Sequence, residues 1–214
     1  VEALARQCDE RFGGVDWLFN NAGVAALGPV WRATADDCAW MFSVNVAGVL
    51  NGLRAFIPAM IARGRRGHVV NTASAAGLAN VEGSGIYCAT KHAVVALSEC
   101  LKADLASAGA DIGVTVLCPS LLPTRIDVSE RTRPAALADT APADPRYLER
   151  VRAGMATSNV SVEEVAALTL RAIDEGRFHV IPHTRTGDSV RLRYERIADD
   201  FSWAHPQTLP QGLA

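Results

Sequence analysis

Tyr87 and Lys91 stand four residues apart in Ser84-Gly85-Ile86-Tyr87-Cys88-Ala89-Thr90-Lys91, at the start of a long segment with apolar residues at helical spacing. On a helix this spacing stacks a phenol and an ammonium on one face, about one turn apart. In model peptides the two groups titrate near ~10 and ~10.4. A fixed cation beside the phenol favours phenolate. The pair therefore predicts a Tyr87 pKa below that of free tyrosine, and a side chain suited to moving a hydroxyl proton. Many helices carry the same spacing with the tyrosine in the core and the lysine in water, so the pair acquires meaning only from its surroundings. Cys88 has no base near it in sequence and reads as packing, and His92 reads as a helix-surface histidine.

The elements that must position this pair follow from periodicity. Residues 1 to 12 read as the end of a helix closed by Gly13-Gly14. Val15 to Phe19 is an apolar run of strand length that ends in the turn-forming Asn20-Asn21-Ala22-Gly23. Thr34-x-x-Asp37 resembles a capping box and opens a helix with Val46, Leu50, Leu53, Ile57 and Ile61 on one stripe. Pro58 is expected to kink or break that helix. Gly67 to Thr72 is a second strand, ending at Ser74. The Tyr87 helix follows, with Val94, Leu97, Leu101 and Leu105 in line and Gly109 as its stop. Ile112 to Cys118 is a third strand, broken by Pro119.

From Thr124 to about Asn159 the chain is polar, with weak helical patterning over Tyr147 to Met155. Ser161 caps a further helix, Phe178 to Ile181 is a fourth strand, and a short basic helix around Val190, Tyr194 and Ile197 precedes a proline-containing tail. Strands alternating with helices predict an α/β fold, a doubly wound parallel sheet in three α/β/α layers.

Composition narrows the partners. The 214 residues carry 21 basic and 23 acidic side chains for a net charge of −2, which offers no electrostatic reason to expect nucleic acid or an anionic membrane. Five scattered cysteines form no C-x-x-C pair, so no metal site is expected, and they fit a reducing cytoplasm. There is no unbroken run of 18 apolar residues and no signal-peptide pattern.

In a doubly wound sheet, ligands sit at the carboxyl ends of the strands. Those ends carry Asn20-Asn21-Ala22-Gly23, Ala73-Ser74 and Pro119-Ser120-Leu121-Leu122-Pro123-Thr124, with Asn45 in the intervening helix and Tyr87-x-x-x-Lys91 after Ser74. This ordered set, over residues 1 to about 183, resembles the single-domain branch of the short-chain dehydrogenase/reductase family, with its Rossmann-like fold.

The resemblance implies an NAD- or NADP-dependent oxidoreductase that interconverts a secondary alcohol and a ketone. Tyr87 would be the general acid or base, and Ser74 would hydrogen-bond the substrate oxygen. Lys91 would lower the Tyr87 pKa and bind the nicotinamide ribose. Asn45 would hold a water in a proton relay. Asn21, Ala22 and Gly23 would shape the cofactor cleft, and Pro119, Leu122 and Thr124 would line the nicotinamide side. Residues 125 to 159 would form a substrate lid, with Tyr147, Leu148 and Met155 as contacts. The family also implies a homodimer or homotetramer through the two long helices.

Two departures stand out. Ser120 occupies a position where the family usually has glycine, and is expected to shift the nicotinamide pocket. The family's glycine-rich phosphate loop does not occur in the sequence, nor does the residue that separates NAD from NADP. At roughly 30 residues per βα unit, the resemblance predicts roughly 70 to 90 further residues ahead of Val1, forming the first βαβ units. Without them Val15 to Phe19 would be an apolar open edge. The expected organisation is residues 1 to 183 as the later part of the domain and 184 to 214 as an extension. An alternative reading is a non-catalytic binding or regulatory module built on a truncated reductase fold.

Overall fold

Helix α1 (Glu2–Phe12) stops where Gly13 takes φ 70°, a left-handed conformation open to glycine, and returns its N–H to Asp9 O at 3.0 Å. The computed structural model describes residues 1–141 and 144–204, so the proline-containing tail and two residues of the expected lid lie outside the described residues.

Strand β1 (Trp17–Asn20) comes next. Thr34 then caps α2 (Ala35–Phe42) with the predicted reciprocal box: its hydroxyl accepts from Asp37 N at 3.0 Å while the Asp37 carboxylate accepts from Thr34 N at 3.1 Å. A π-helical turn at Ser43–Ala47, in which Gly48 N–H reaches five residues back to Ser43 O, joins α2 to α3 (Gly48–Arg63). Contrary to expectation, α3 runs unbroken through Pro58, and the irregularity of this segment is the π turn.

The remaining elements are β2 (Gly67–Thr72), α4 (Gly85–Ser107), β3 (Ile112–Leu117), α5 (Pro145–Ala156), α6 (Val162–Asp174), β4 (His179–Val180) and α7 (Thr184–Ala204). Helix α7 is 21 residues long rather than short.

The four strands pair in parallel in the order β1-β2-β3-β4, flanked by helices, which is the α/β architecture that the alternation predicts. Leu18, Val69 and Val114 are in register and, since side chains alternate along a strand, share one face. That face packs against Phe56, Ile57 and Met60 of α3 and Leu105 of α4.

The buried stripe of α3 is thus Val49, Phe56, Ile57 and Met60, while Leu50 and Ile61 of the predicted stripe are exposed. The helix is apolar on more than one side, so its period alone could not select the inner face. The run Ala35–Arg63 is even long and apolar enough to cross a membrane by length and composition, yet here it lies on the sheet. On the opposite sheet face, Trp17 and Phe19 of β1 are 48% and 47% exposed, and β1 forms an edge of the sheet among the described residues.

A polar layer crosses the sheet close to its carboxyl end. Asn20 Nδ2 donates to Asn71 Oδ1 at 2.8 Å, and Asn71 Nδ2 donates to Ser98 Oγ of α4 at 3.0 Å. Buried amides must find partners, so these bonds fix how β1, β2 and α4 meet beneath the strand ends.

A candidate active site at the strand ends

Helix α4 starts at Gly85 and brings Tyr87 and Lys91 onto one face, with the Lys91 ammonium 5.7 Å from the Tyr87 ring centroid. Lys91 is 3% exposed, and its Nζ donates to Thr72 O at 2.9 Å. No carboxylate forms an ion pair with it among the described residues. Burial alone therefore pushes its pKa down, to about 8, with the neighbouring Cys118 thiol pulling weakly the other way.

The Tyr87 phenol behaves oppositely to the sequence expectation. Burial pushes its pKa up to about 12, against a partial lowering by its hydrogen bond with the Ser74 hydroxyl. The cation expected to favour phenolate is not among the groups that shift it; burial dominates, and the neighbouring Cys88 thiol adds to the rise. At neutral pH Tyr87 is a phenol, the form that can donate a proton.

Ser74 lies just beyond β2 in extended backbone and caps a 3-10 turn, its Oγ accepting from Ala76 N at 3.1 Å. The same hydroxyl donates to Pro119 O at 3.3 Å, and Ala75 N donates to that carbonyl at 2.8 Å. Pro119 thus meets Ser74 directly. Leu122 is buried and Thr124 exposed further along the same loop, where Thr124 N donates to Leu122 O at 2.7 Å. The Ser120 backbone has no positive φ, so serine sits there without the strain that a glycine would relieve. Its N–H donates to His183 Nδ1 at 3.1 Å.

Asn45 is buried in the π turn. Its Oδ1 accepts from Val24 N at 2.8 Å, and its Nδ2 donates to Val24 O at 2.9 Å and to Thr90 Oγ1 at 3.0 Å. Both amide hydrogens are used to pin the loop after β1 and helix α4 to each other, so the side chain is a brace. Thr90, three residues after Tyr87, closes the link by donating to Tyr87 O at 2.8 Å. In the loop after β1, Asn21 and Ala22 are exposed, and Asn21 Oδ1 accepts from Thr72 Oγ1 at 2.9 Å. A Cβ on Gly23 would stand 3.3 Å from Lys91 Nζ and 3.5 Å from Asn45 Oδ1, so this glycine brings the loop close to the buried ammonium.

Described residues of the expected lid pack against the loops at these strand ends. Tyr147 is buried against Gly83, whose φ of 73° suits glycine, and its hydroxyl donates to Glu82 Oε1 at 3.2 Å. Gly154 of α5 leaves room only for Leu121, next to Ser120. Met155 is buried and Leu148 half-buried on the same helix. A 3-10 segment at Ile126–Thr132 is tied to the loop after β1 by Ser129, whose Oγ accepts from Ala25 N at 3.2 Å.

The candidate residues therefore converge at one sheet edge. Thr72, Thr90 and His183, which join them, carry no sequence signal. Thr72 acts partly through its carbonyl, Thr90 through a brace, and His183 lies 63 residues from its partner Ser120.

The donor set fits the nicotinamide-ribose end of a nicotinamide dinucleotide. Lys91 offers a buried ammonium with no carboxylate among the described residues to neutralise it, suited to sugar hydroxyls, next to a loop held close by glycine. The described residues offer no glycine-rich loop for the diphosphate.

Residues 1–135 match the short chain dehydrogenase family model. The chain is 42% identical to a short-chain dehydrogenase/reductase from Burkholderia phymatum solved in complex with NAD, with a TM-score of 0.89 over 99% of this chain and 75% of that one. It is 30% identical over 207 residues to a CLA biosynthesis dehydrogenase/reductase from Lactiplantibacillus plantarum, covering 94% of this chain and 72% of the relative. It is 33% identical over 214 residues to the 1-deoxy-11-beta-hydroxypentalenate dehydrogenase of Streptomyces exfoliatus, covering 98% and 68%.

Proposed function

We propose that this chain, which belongs to the short-chain dehydrogenase family, is an NAD- or NADP-dependent oxidoreductase that interconverts a secondary alcohol and a ketone. The observation that carries this reading is the contact between the Tyr87 phenol and the Ser74 hydroxyl at the carboxyl end of the sheet, backed by the buried Lys91.

When bound, the dinucleotide supplies or takes up the hydride. Lys91, with Tyr87, would hold its ribose hydroxyls. Asn21, Ala22 and Gly23 would form one wall of its cleft, and Pro119, Leu122 and Thr124 would form the other.

In the reducing direction the Tyr87 hydroxyl donates its proton to the substrate oxygen as charge builds there, and the Ser74 hydroxyl turns from Pro119 O to give a second hydrogen bond. Both donors stand ready in neutral water, because Tyr87 is held protonated. In the oxidising direction Tyr87 must act as the phenolate, a form that burial disfavours and the Ser74 hydroxyl partly restores. With both Asn45 amide hydrogens committed, its side chain has no N–H left to give a relay water.

Residues 125–141 and 144–159 would form a lid over the site, suited to an organic substrate of more than a few carbons. The exposed apolar Phe42, Leu50 and Ile61 on the outer side of the α2–α3 run support a homodimer or homotetramer. Five free cysteines support a cytoplasmic protein.

The test is Tyr87→Phe, which keeps the ring and removes the hydroxyl. Hydride transfer should fall about 10²- to 10⁴-fold with an unchanged fold. Turnover equal to the parent's would sink the mechanism. The raised Tyr87 pKa favours a second reading, a binding module without catalysis. In that case saturable dinucleotide binding would occur with no turnover in either protein.

A further inference from the structure

We infer that His183 is a positioning residue for Ser74, acting through the Pro119–Ser120 peptide; this rests on the oxidoreductase reading of the site. The C=O of Pro119 and the N–H of Ser120 belong to one planar peptide group, so fixing one end orients the other. His183 Nδ1 accepts the N–H at 3.1 Å, and Ser74 Oγ donates to the carbonyl at 3.3 Å. Hydrogen bonds in series through one amide polarise each other, so the imidazole strengthens the acceptor that parks the Ser74 hydroxyl. The chain of contacts then runs from the β4–α7 junction through one peptide and Ser74 to the Tyr87 phenol.

The arrangement specifies a tautomer. Nδ1 must be the bare nitrogen in order to accept, so the proton sits on Nε2. Nε2 is enclosed with no partner among the described residues. Burial, the larger cause, lowers the imidazole pKa, the Leu121 backbone opposes it, and no charged side chain among the described residues contributes. His183 is therefore neutral, and an acceptor, at neutral pH. Protonation would turn Nδ1 into a second donor facing the Ser120 N–H and release the peptide. The position where the family usually has glycine here carries a residue whose amide is held from outside the loop.

The experiment uses the full chain and two readouts. In ¹⁵N spectra of the imidazole, His183 should show an unprotonated Nδ1 at neutral pH, and Ser74→Ala should shift both that nitrogen and the Ser120 amide. A protonated Nδ1, or a Ser120 amide blind to Ser74→Ala, overturns the inference whether or not the protein is an oxidoreductase.

In turnover, His183→Phe removes the acceptor and should lower kcat about tenfold with KM within about twofold. His183→Asn keeps an acceptor near the Nδ1 position and should restore most of kcat, while losing the acid limb expected of the parent below the ordinary imidazole range. Parent-like kcat and pH profile in both variants overturn the inference. Tyr87→Phe in the same assay separates the two ideas. If it stays active, the reaction assignment fails and the spectra alone decide the role of His183.

Discussion

Arg133 and Lys91 are both withdrawn from solvent, the Arg133 side chain at 7% exposure and Lys91 at 3%, but the fold surrounds them differently. Arg133 is saturated. Its guanidinium reaches Glu130 Oε1 at 2.8 Å, Asp37 Oδ1 at 2.6 Å and Leu137 O at 3.2 Å, and it stacks 4.2 Å from the Trp40 ring centroid. The Glu130 hydrogen bond leads in raising its pKa above the ordinary guanidinium range. Burial pushes Asp37 up, but bonds from Thr34, Ala141, Arg133 and Thr140 outweigh it and hold the carboxylate below its usual range.

Lys91 has a carbonyl, a ring and a thiol for neighbours, and its pKa falls to about 8. The first cation latches residues 126–141 onto the start of α2, and everything it needs is supplied by the chain. The second is left short of counter-charge at the place where a polyol and a reacting oxygen would come. A buried charge completed by its own fold does structural work, and one left incomplete is available for chemistry.

The strongest challenge to this contrast is Arg133→Met. It strands the Asp37 carboxylate in a site 4% exposed and should cost about 3 kcal/mol or more in denaturant unfolding. The double change Asp37→Asn with Arg133→Met should recover much of that loss. A single variant as stable as the parent would show that the latch is dispensable.

Lys91→Met should act in the reverse sense, abolishing turnover while raising stability at neutral pH by about 1–3 kcal/mol, since a poorly compensated buried charge is removed. The pH dependence gives its sign. Between about 8 and 10.5 the folded chain binds fewer protons at Lys91 than the unfolded chain, so this group's contribution to stability rises with pH across that window. The difference between parent and Lys91→Met should narrow over the same range, and a constant difference would refute the uncompensated charge.

The smallest effect is expected at Arg150, an exposed partner of Glu82 at 3.2 Å on the rim of the lid. Arg150→Ala should change stability by less than about 1 kcal/mol, and salt should erase even that.

Much of this was legible in advance. Thr34-x-x-Asp37 and Ser161-x-x-Glu164 are capping boxes because their side-chain chemistry is local. The stripe Val94, Leu97, Leu101 and Leu105 turns inward because α4 has one apolar side toward the sheet. For α3 the same logic was right at Leu53 and Ile57 but missed Val49, Phe56 and Met60 and placed the exposed Leu50 and Ile61 inside, since apolar residues on several sides leave the phase to its neighbours. Pro58 did not break its helix. The Asn45 brace and the Arg133 latch join residues 45 and 96 positions apart and leave no trace in any local pattern.

By itself, the sequence determined the elements, their order and the residue types delivered to the strand ends, because spacing, caps and apolar alternation act over a few neighbours. The tertiary structure alone decided the protonation of Tyr87 and Lys91, since burial is a property of the assembled layers and here outweighs the four-residue proximity that foretold a lowered phenol. It alone also brought His183 and Ser74 to the two ends of one peptide group, because β4 ends beside β3 only once the sheet has formed.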